Sequence, residues 1–464
     1  PIFLQIAEKL VEAITEGRLT PGEALPGTRA MAEHLDVNRN TVVAAYQELS
    51  AEGWIHTRPG GGTFVADPLP ARQPPARTDA SGDPAFTFNP PPGRPDSPPA
   101  GAFSFLTGEV DPRLLPMVAL ARAYQRSVRT RDRSIYSLDL PLGLERFRTA
   151  LATMLSTAKG LRARADSLLV TSGLAEALTL VCRGLLRAGE FIGVESLGSR
   201  AQWDVLRQCG HPLLPLELDG EGLRLDSARR ALDSGARMLF VTPLRQYPTT
   251  VTLGPSRRTA LLDLAAAYRV PVLEVDLDPG FHYEGVPPLP LAAEDRTGSV
   301  VYIGAFSRLL FPNLPVAYIH GPRSLVASLA DWRSSLGSTG DLFLQHALAQ
   351  LLEDGEIQRH LHRLRKVCLE CRDSLADALQ RHMADALEVH PPSGGQAFWL
   401  PARDPALDVE GWARRSRTEG IAFQPGQAFT LGGEPLAALR LGFGGRSLHE
   451  LEEAVVRMSR SLRG

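Results

Sequence analysis

Hydrophobic positions near the beginning of the chain recur with the spacing of an α-helix. Ile6, Leu10 and Ile14 share one helical face. Two further runs with the same apolar period cover residues 30–35 and 42–52. The pattern therefore predicts three short helices before residue 53, each with one apolar face to bury.

Two strand-like segments follow the third predicted helix. Residues 53–58 and 63–65 contain aromatic and β-branched side chains, and Pro59 with Gly60–Gly62 separates them. Proline and glycine at such a position are typical of the tight turn of a β-hairpin. Three helices and a small hairpin describe a winged helix-turn-helix, in which a glycine-rich hairpin tip can approach a nucleic-acid backbone closely.

Polar side chains that suit DNA lie at the start of the third predicted helix. Asn38, Arg39, Asn40 and Thr41 occupy the end that enters the major groove in helix-turn-helix proteins. Arginine can bind guanine, and asparagine adenine, with two hydrogen bonds. Acidic residues nevertheless outnumber basic ones in this segment. That excess predicts weak nonspecific affinity for DNA per monomer and leaves open an alternative in which the domain contacts only proteins.

Proline marks the next part of the chain, and a different pattern begins after it. The proline density of residues 68–101 favours an extended linker. Beyond it, apolar strand-like runs alternate with helical ones. The predicted strands cover residues 167–171, 191–195, 237–242, 270–274 and 300–302. This alternation predicts a mainly parallel sheet with helices on both faces.

The patterns divide the chain into three parts. A winged helix covers residues 1–67, a linker covers 68–101 and an α/β domain covers 102–464. Within the last part, a large portion of about 102–340 is followed by a smaller α+β portion of about 341–464. This smaller portion is predicted to begin with one long helical stretch, from about Phe343 to His382.

Composition changes this picture little. The 464 residues allow about three domains, and the net charge of −2 gives no global positive field. No apolar run approaches the ~20 residues of a membrane span, so no membrane association is expected. The four cysteines are expected to be reduced thiols in the cytoplasm. Cys368 and Cys371 form a lone C-x-x-C pair, which predicts packing rather than a metal site.

The N-terminal segment resembles the DNA-binding domain of the GntR family. The match runs through Gly17, Pro21-Gly22, Leu25-Pro26 and Arg29 to Gly60-x-Gly62-Thr-Phe-Val65. This resemblance implies double-stranded DNA as the partner. The contacts that it implies are made by Arg29, Asn38, Arg39, Asn40 and Thr41, with backbone contacts near Gly61.

The α/β domain resembles fold-type-I aminotransferases, in the version carried by the MocR branch of the GntR regulators. The segment Tyr302-Ile-Gly-Ala-Phe-Ser-Arg308 is similar to their cofactor-lysine segment. Ordinary framework matches are Thr171-Ser-Gly173, Thr242-Pro243, Gln246, Pro248 and Arg372. The resemblance implies pyridoxal phosphate as the family cofactor. It also implies a head-to-tail homodimer, with each winged helix near the partner's large domain.

The cofactor site departs from the family pattern. Arg308 stands at the position of the Schiff-base lysine, and a guanidinium stays protonated and cannot form that bond. The phosphate-binding arginine is replaced by Pro315. Val275 replaces the carboxylate that pairs with the ring nitrogen, and Leu277 replaces the tyrosine that bonds the ring oxygen. Asp276 is an alternative carboxylate if the register is shifted by one residue.

Two further departures complete the pattern. The aromatic residue that stacks on the cofactor ring is missing near Ser199, and Thr250 ends the family's Pro-Thr-Gly. We therefore predict no covalently bound cofactor and no transaminase activity. The chain is predicted to be a DNA-binding transcriptional regulator whose aminotransferase-like domain serves dimerisation and effector sensing. The alternative is a cofactor-binding regulator or an aminotransferase that uses a displaced lysine, Lys159 or Lys366.

Several polar groups of the pocket survive. Ser172, Gly173 and Ser307 could still bind an anion at a helix N-terminus. By the resemblance, Arg440 matches the arginine that grips a substrate carboxylate, and Arg308 adds charge. One hypothesis is a pocket for a small anionic effector. The alternatives are that both arginines are structural, paired to acids such as Asp276, or that the domain only dimerises.

Overall fold

The computed structural model describes residues 1–58, 60–70, 102–106, 111–137, 139–277, 280–307, 309–311, 313–444 and 447–463. The chain separates into two units, Pro1–Pro95 and Asp96–Gly464. Most of the predicted linker, from residue 71 to 101, lies outside the described residues. Across the described ranges, no helix combines the length and the apolar content that crossing a membrane requires.

Among its described residues, the first unit contains three helices and a small antiparallel sheet. Its elements are α1 (Ile2–Thr15), β1 (Ala24–Leu25), α2 (Thr28–Leu35), α3 (Arg39–Ala51), β2 (Ile55–Arg58) and β3 (Gly62–Val65). β3 lies between β1 and β2 and pairs antiparallel with both. The predicted winged helix-turn-helix is confirmed, with β1 as an addition that the sequence pattern did not indicate.

One apolar core holds this unit together. Ile6 and Ile14 bury one face of α1, and Val42 and Leu49 of α3 are completely buried in the same cluster. Val65 of the hairpin is also completely buried there. Burying one aliphatic side chain of this size contributes about 1.5–3 kcal/mol, so these contacts fix α3 and the hairpin as one body.

The second unit alternates strands and helices before it ends in a smaller sheet. Its helices are α4 (Met117–Arg129), α5 (Glu145–Lys159), α6 (Leu174–Leu185), α7 (Arg200–Gln208), α8 (Leu225–Asp233), α9 (Pro255–Tyr268), α10 (Leu291–Glu294), α11 (Arg323–Ser335), α12 (Leu342–Glu353), α13 (Glu356–Met383), α14 (Val409–Thr418) and α15 (Leu448–Arg463). Its strands are β4 (Phe103–Ser104), β5 (Leu168–Thr171), β6 (Phe191–Glu195), β7 (Leu213–Leu216), β8 (Leu218–Asp219), β9 (Gly222–Leu223), β10 (Ala236–Val241), β11 (Val272–Asp276), β12 (Val300–Ala305), β13 (Ala317–His320), β14 (Ala397–Pro401), β15 (Ile421–Ala422), β16 (Gln424–Pro425) and β17 (Ala438–Gly442).

The main sheet has seven strands among the described residues, in the order β5-β13-β12-β11-β10-β6-β7. β13 runs antiparallel to both of its neighbours, and the other pairs are parallel. The predicted mainly parallel sheet is therefore confirmed. β11 extends to Asp276, two residues beyond the predicted end at Glu274, so the candidate cofactor residues Val275 and Asp276 belong to the strand itself.

Side chains on the central strands alternate between two differently covered faces. Val275, Ile303 and Ile319 pack in one apolar cluster with residues of α6 and α11. Tyr302 and Tyr318 pack in another cluster with residues of α5 and α12. Neighbouring residues of one strand therefore belong to different environments, as the two-residue period of a β-strand requires.

The predicted single helical stretch from about Phe343 to His382 is wrong. The structure has two helices there, because α12 ends at Glu353 and α13 begins at Glu356. Gly355 between them has a φ of 71°, a left-handed conformation that favours glycine over residues with a side chain. Gly355 therefore separates the two helices.

The smaller portion of the unit carries a three-stranded antiparallel sheet in the order β14-β17-β16. Trp412 of α14 and Phe443, directly after β17, are completely buried in the core cluster that also contains residues of α13. This packing fixes β17 and, with it, Arg440 at the middle of the small sheet.

Candidate functional site

The first turn of α3 presents polar side chains to solvent. Arg39 and Asn40 are exposed, and Thr41 is half-buried. Asn38 caps the helix, since its Oδ1 accepts a hydrogen bond from the backbone nitrogen of Asn40 at 2.8 Å. This bond satisfies one of the N–H groups that every helix start leaves unpaired. Asn38 therefore positions the helix, and its side-chain NH₂ group is what remains for contact with a base.

The other predicted DNA contacts lie on α2 and on the hairpin. Arg29 Nε lies 3.6 Å from Glu33 Oε1, but both side chains are largely exposed, so this ion pair is weak. Gly61 is exposed near the hairpin turn, where its N–H donates to the carbonyl of Arg58 at 3.0 Å. The Arg58 guanidinium lies 4.9 Å from the centre of the Phe64 ring. Sequence analysis did not single out Arg58, although a cation beside a glycine-rich turn is a signal of backbone contact.

The β11 residues that match the family's cofactor contacts are apolar. Val275 is buried in the cluster that contains residues of α6, and Leu277, just after the strand, packs against that cluster together with Leu174. Leu174 is the first residue of α6. The structure thus brings Val275 and Leu277 together with the start of α6. Neither of these two side chains has a carboxylate or hydroxyl group that could bind a cofactor ring.

Asp276 belongs to the opposite face of the sheet. Its Oδ2 lies 2.7 Å from Lys159 Nζ and accepts a hydrogen bond from the Tyr302 hydroxyl at 2.8 Å. Burial, reinforced by the nearby Asp276 carboxylate, raises the pKa of Tyr302 well above its ordinary value, so the phenol keeps its proton and donates it. This geometry does not support the alternative in which Asp276 replaces the ring-nitrogen carboxylate at Val275.

The two candidates for a displaced cofactor lysine differ in their surroundings. Lys159 is the last residue of α5, and its amine is held by Asp276 in an ion pair with little exposure. Lys366 is exposed on α13. A Schiff base at Lys159 would have to break the ion pair and leave Asp276 without its counter-charge. The contacts of Lys159 therefore favour a structural role.

A carboxylate of the chain itself lies at the start of α6. Glu176 accepts a hydrogen bond from the backbone nitrogen of Ser172, the residue before the Gly173 N-cap. Its Oε1 also lies 2.9 Å from Nε of Arg333, whose side chain is completely buried. Sequence analysis missed both residues. An acidic side chain in the first turn of a helix was the available signal for Glu176.

The remaining positions of the predicted pocket differ in how exposed they are. Ser307 is half-buried, Pro315 is exposed, and Ser199 is the half-buried N-cap of α7. Thr250 has a φ of 64°, a left-handed conformation that favours the glycine of the family's Pro-Thr-Gly. Arg308 lies outside the described residues, so its predicted role stays a prediction.

Arg440 is buried among aromatic side chains. Its guanidinium lies 4.9 Å from the centre of the Tyr247 ring, and its Nη1 donates to the carbonyl of Leu106 at 3.3 Å. Phe429 links this ring to Trp399, with centroid distances of 5.6 Å to Tyr247 and 5.7 Å to Trp399. A guanidinium in such surroundings binds a carboxylate strongly, because little water competes for it.

Pyridoxal phosphate, the family's cofactor, does not fit the described residues of this pocket. Val275 and Leu277 offer no partner to its ring, and Pro315 carries no charge for its phosphate. The Ser172 N–H, which could bind the phosphate, is already taken by Glu176.

The described part of the chain offers no group of three or more His, Cys, Asp or Glu residues that could hold a metal ion. Cys368 and Cys371 are buried on α13, in the core cluster that also holds Trp412 and Phe443. Their position agrees with the packing role that the sequence predicts for this pair.

Comparison with protein families agrees with the division into two units. Residues 3–65 match the family described as bacterial regulatory proteins, gntR family. Residues 107–458 match aminotransferase class I and II. The two matches cover the winged helix and nearly all of the second unit.

Regulators with both domains are similar to this chain over most of its length. It is 29% identical over 460 residues to the "Probable rhizopine catabolism regulatory protein MocR" of Rhizobium meliloti, covering 98% of this chain and 92% of that protein. It is 31% identical over 381 residues to the HTH-type pyridoxine biosynthesis transcriptional regulator PdxR of Corynebacterium glutamicum, covering 81% of this chain and 78% of that protein.

Solved structures show the same fold for the second unit. The kynurenine aminotransferase of Pyrococcus horikoshii superposes with a TM-score of 0.72 at 23% identity, covering 78% of this chain and 91% of that one. Similarity at this level shows the fold and not the activity. With both family matches and the similarity to full-length regulators, the chain belongs to the MocR subfamily of the GntR family, transcriptional regulators that join a DNA-binding winged helix to an aminotransferase-like domain.

Proposed function

We propose that this regulator binds DNA in a sequence-specific way as a homodimer, and that its second unit senses a small carboxylate without acting as a transaminase. One contrast carries the proposal. The first turn of α3 keeps Arg39 and Asn40 exposed for DNA, whereas β11 has Val275 at the position of the family's ring-nitrogen carboxylate. This contrast supports DNA binding without cofactor chemistry.

In the proposed DNA complex, α3 lies in the major groove. Arg39 and Asn40 contact base edges, and the cap formed by Asn38 fixes the direction of the helix start. Arg29 and the hairpin backbone near Gly61 contact phosphates, which set the register without specifying the sequence. Because the unit has few basic residues, two copies on one operator are needed for tight binding.

An exposed apolar surface on the second unit supports the proposed homodimer. On α4, the side chains of Met117, Val118 and Val128 are at least half exposed. Tyr124 of the same helix donates to Asp341 Oδ2 at 3.2 Å, which ties α4 to the start of α12. Apolar side chains gathered on one helix mark a surface that a partner covers. The family resemblance adds the head-to-tail arrangement, with each winged helix near the partner's large domain.

The proposed effector is a small carboxylic acid that binds Arg440. The burial of this guanidinium and its contact with Tyr247 would make a carboxylate contact strong and specific. Tyr247 and Phe429 come from the large and small portions of the unit, and their rings lie 5.6 Å apart. An acid bound at this junction would change how the two portions pack, and through them the spacing of the two winged helices in the dimer.

The proposal can be tested with the purified full-length chain. DNA duplexes are first selected from a random library, and affinity is then measured by fluorescence anisotropy with and without a panel of mono- and dicarboxylates. We expect Arg39→Ala to weaken binding of the selected duplex by about 1–3 kcal/mol, roughly 5- to 150-fold, which is the loss of one good base contact. We expect Arg440→Gln to keep basal DNA binding but to abolish the response to the active acid.

A parallel experiment tests the absence of transaminase chemistry. The chain is incubated with pyridoxal phosphate, reduced with borohydride and digested for mass spectrometry. We expect no stoichiometric pyridoxyl adduct on Lys159 or Lys366, and no amino-acid-dependent turnover. A stoichiometric adduct with turnover would overturn the non-enzymatic part of the proposal. Failure to select any duplex would overturn the DNA-binding part.

A further inference from the structure

Five arginine side chains form an exposed surface on the second unit, the arginine stripe. Arg122, Arg126 and Arg129 belong to α4, and Arg131 and Arg133 follow directly after it. All five are exposed, and none of their side chains has an ion pair or hydrogen bond within the described ranges. We propose that the arginine stripe contacts the phosphate backbone of the DNA duplex that the winged helix binds. This rests on the proposed function, because it adds a second contact to the same DNA.

The helical part of the stripe lies on one side of α4. At 3.6 residues per turn, Arg122, Arg126 and Arg129 fall within an arc of about 60° around the helix axis. Leu120 and Ala123 are buried in the core on the side of α4 that faces away from this arc. The packing of α4 against the core therefore fixes the three arginines on its solvent side.

The stripe is distinct from the apolar side chains that α4 offers to a second copy. The exposed Met117 and Val128 project about 100° or more away from each arginine of the helix, and Val118 lies between the two sides. A subunit that covers Met117 and Val128 would therefore leave the arginines accessible. The same helix can serve the proposed homodimer on one side and DNA on the other.

Gathering these charges is unfavourable for the protein by itself. Like charges four residues apart on a helix, such as Arg122 and Arg126, destabilise it. The helix dipole favours positive charge in the last turn of α4, which accounts for Arg126 and Arg129. It does not account for Arg122, or for Arg131 and Arg133 beyond the helix end. A polyanion bound to the stripe would replace this repulsion with attraction.

The spacing of the stripe suits a row of phosphates. The segment 122–133 contains one acidic residue, Asp132, and its Oδ1 already accepts hydrogen bonds from the N–H and hydroxyl groups of Ser134 at 2.9 and 2.7 Å. Arg122 and Arg129 stand about 10 Å apart along the helix axis. One strand of a duplex carries a phosphate every ~3.4 Å of its axis, so each arginine can bind a different phosphate with two hydrogen bonds.

The charge of the first unit favours DNA as the partner of the stripe. Residues 1–67 contain nine acidic and five basic residues, so the winged helix alone has little net attraction for a polyanion. Phosphate contacts that release counterions supply a large share of the affinity for DNA. A positive surface on the second unit would supply contacts of this kind. Because they do not reach base edges, they add affinity without adding sequence preference.

Neutralising the stripe tests the proposal. Binding of the full-length chain to a selected duplex and to a scrambled duplex is measured by fluorescence anisotropy at several sodium chloride concentrations. In the Arg122→Gln, Arg126→Gln, Arg129→Gln triple variant, we expect the slope of log affinity against log salt to become shallower by about 2–3. The affinities for both duplexes should fall by the same factor, because phosphate contacts do not specify the sequence.

Two further variants keep the test decisive. Arg131→Gln, Arg133→Gln leaves α4 itself unchanged, and its slope should become shallower by about 1–2. Arg359→Gln, Arg381→Gln, Arg457→Gln is the matched control, because it changes the net charge as much as the triple stripe variant does. Each of these three arginines is exposed and already paired with a glutamate. The control should keep the wild-type slope.

Two results would overturn the proposal. One is a wild-type slope in both stripe variants, which would make the stripe a solvated surface. The other is a stripe variant that sediments as a monomer without DNA where the wild type is a dimer, which would assign the arginines to contact with a second copy. If Arg39→Ala loses discrimination while the stripe variants keep the wild-type slope, this proposal fails and the proposed function stands. A wild type that binds neither duplex at low salt counts against both.

Discussion

Lys159 Nζ lies 2.7 Å from Asp276 Oδ2, in an ion pair that joins the end of α5 to the end of β11. The side chains of Lys159 and Asp276 are only 16% and 3% exposed. The sequence contains few lysines, and one of them is committed to this contact. The pair holds the Asp276 carboxylate on the face of the sheet opposite to Val275, and this places it away from the β11 residue that matches the family's cofactor carboxylate.

Breaking this pair should lower the free energy of unfolding more than removing both charges does. Lys159→Met leaves the Asp276 carboxylate buried without a counter-charge, and we expect it to lower the free energy of unfolding by about 3–5 kcal/mol. Combining it with Asp276→Asn should recover about 1–3 kcal/mol of that loss, since neither charge then remains. Urea unfolding of the two single variants and the double variant measures the coupling. Strictly additive losses would show that the two residues act independently.

Much of the fold could be predicted from the sequence, because local patterns specify it. The helical period of Ile6, Leu10 and Ile14 and the glycine-rich hairpin turn indicated the winged helix. The alternation of apolar strands and helices indicated the parallel sheet. The failure at Gly355 has a local cause too, because one glycine in a left-handed conformation interrupts an otherwise continuous helical pattern.

The contacts of the candidate site could not be predicted in the same way. Glu176 and Arg333 are 157 positions apart, and nothing in the spacing of either residue indicates the other. The partner of Asp276 depends on which face of β11 it occupies, and that follows only once the strand is known to reach Asp276. The resemblance predicts positions for the cofactor partners, and the structure adds the contacts that the side chains at these positions make.

Thr250 stands in a backbone conformation that suits glycine. Its φ of 64° places a β-branched side chain in the left-handed region, which costs about 1–2 kcal/mol. Thr250→Gly removes this strain but adds freedom to the unfolded chain, which offsets about 0.5–1 kcal/mol. We expect a net gain in the free energy of unfolding of up to about 1.5 kcal/mol, measured by urea unfolding.

The neighbouring threonine provides the control for that variant. Thr249 has no positive φ, and its hydroxyl donates to Gln246 Oε1 at 2.7 Å. Thr249→Gly loses this hydrogen bond and also gains unfolded-state freedom, so we expect a loss of about 1–2 kcal/mol. If both variants lost stability equally, the conformation of Thr250 would contribute no strain.

The buried Glu195 should make stability depend on pH. Burial raises its pKa to about 7, although hydrogen bonds from Thr242 and Gln246 act against burial. The unfolded carboxyl group has an ordinary pKa of about 4.3. Between these values the folded chain holds a proton that the unfolded chain has released, so the free energy of unfolding falls as the pH rises from about 4 to about 7. One such group accounts for a loss of about 3 kcal/mol across that window.

Replacement by glutamine separates this effect from those of other groups. Glu195→Gln keeps an oxygen for Thr242 and Gln246 but cannot ionise, so its loss of stability between pH 4 and 7 should be smaller than that of the wild type. Burial also raises the pKa of Glu274 to about 7. The free energy of unfolding of the Glu195→Gln, Glu274→Gln double variant should therefore depend on pH even less. The free energy of unfolding is measured by urea unfolding at several pH values. If it fell with pH equally steeply in all three proteins, the assignment of this pH dependence to Glu195 and Glu274 would be refuted.

Asn38 and Arg39 should separate helix capping from DNA contact. Asn38→Ala removes the oxygen that accepts the Asn40 N–H, and we expect it to lower the stability of the first unit by about 1 kcal/mol. Asn38→Asp keeps that oxygen and should keep the stability. Arg39→Ala removes an exposed side chain and should stay within about 0.5 kcal/mol of the wild type. Two measurements on the full chain check these differences: urea unfolding and backbone amide exchange in α3.

DNA binding by the same three variants gives the complementary result. Arg39→Ala should lower the affinity for a selected duplex by about 1–3 kcal/mol and reduce its discrimination from a scrambled duplex, because a base contact is lost. Asn38→Ala should keep most of that discrimination, because Arg39 remains on an α3 that is only partly frayed. If Asn38→Ala instead abolished discrimination without changing stability, Asn38 would act through its side-chain NH₂ group on a base, and the cap would be of secondary importance.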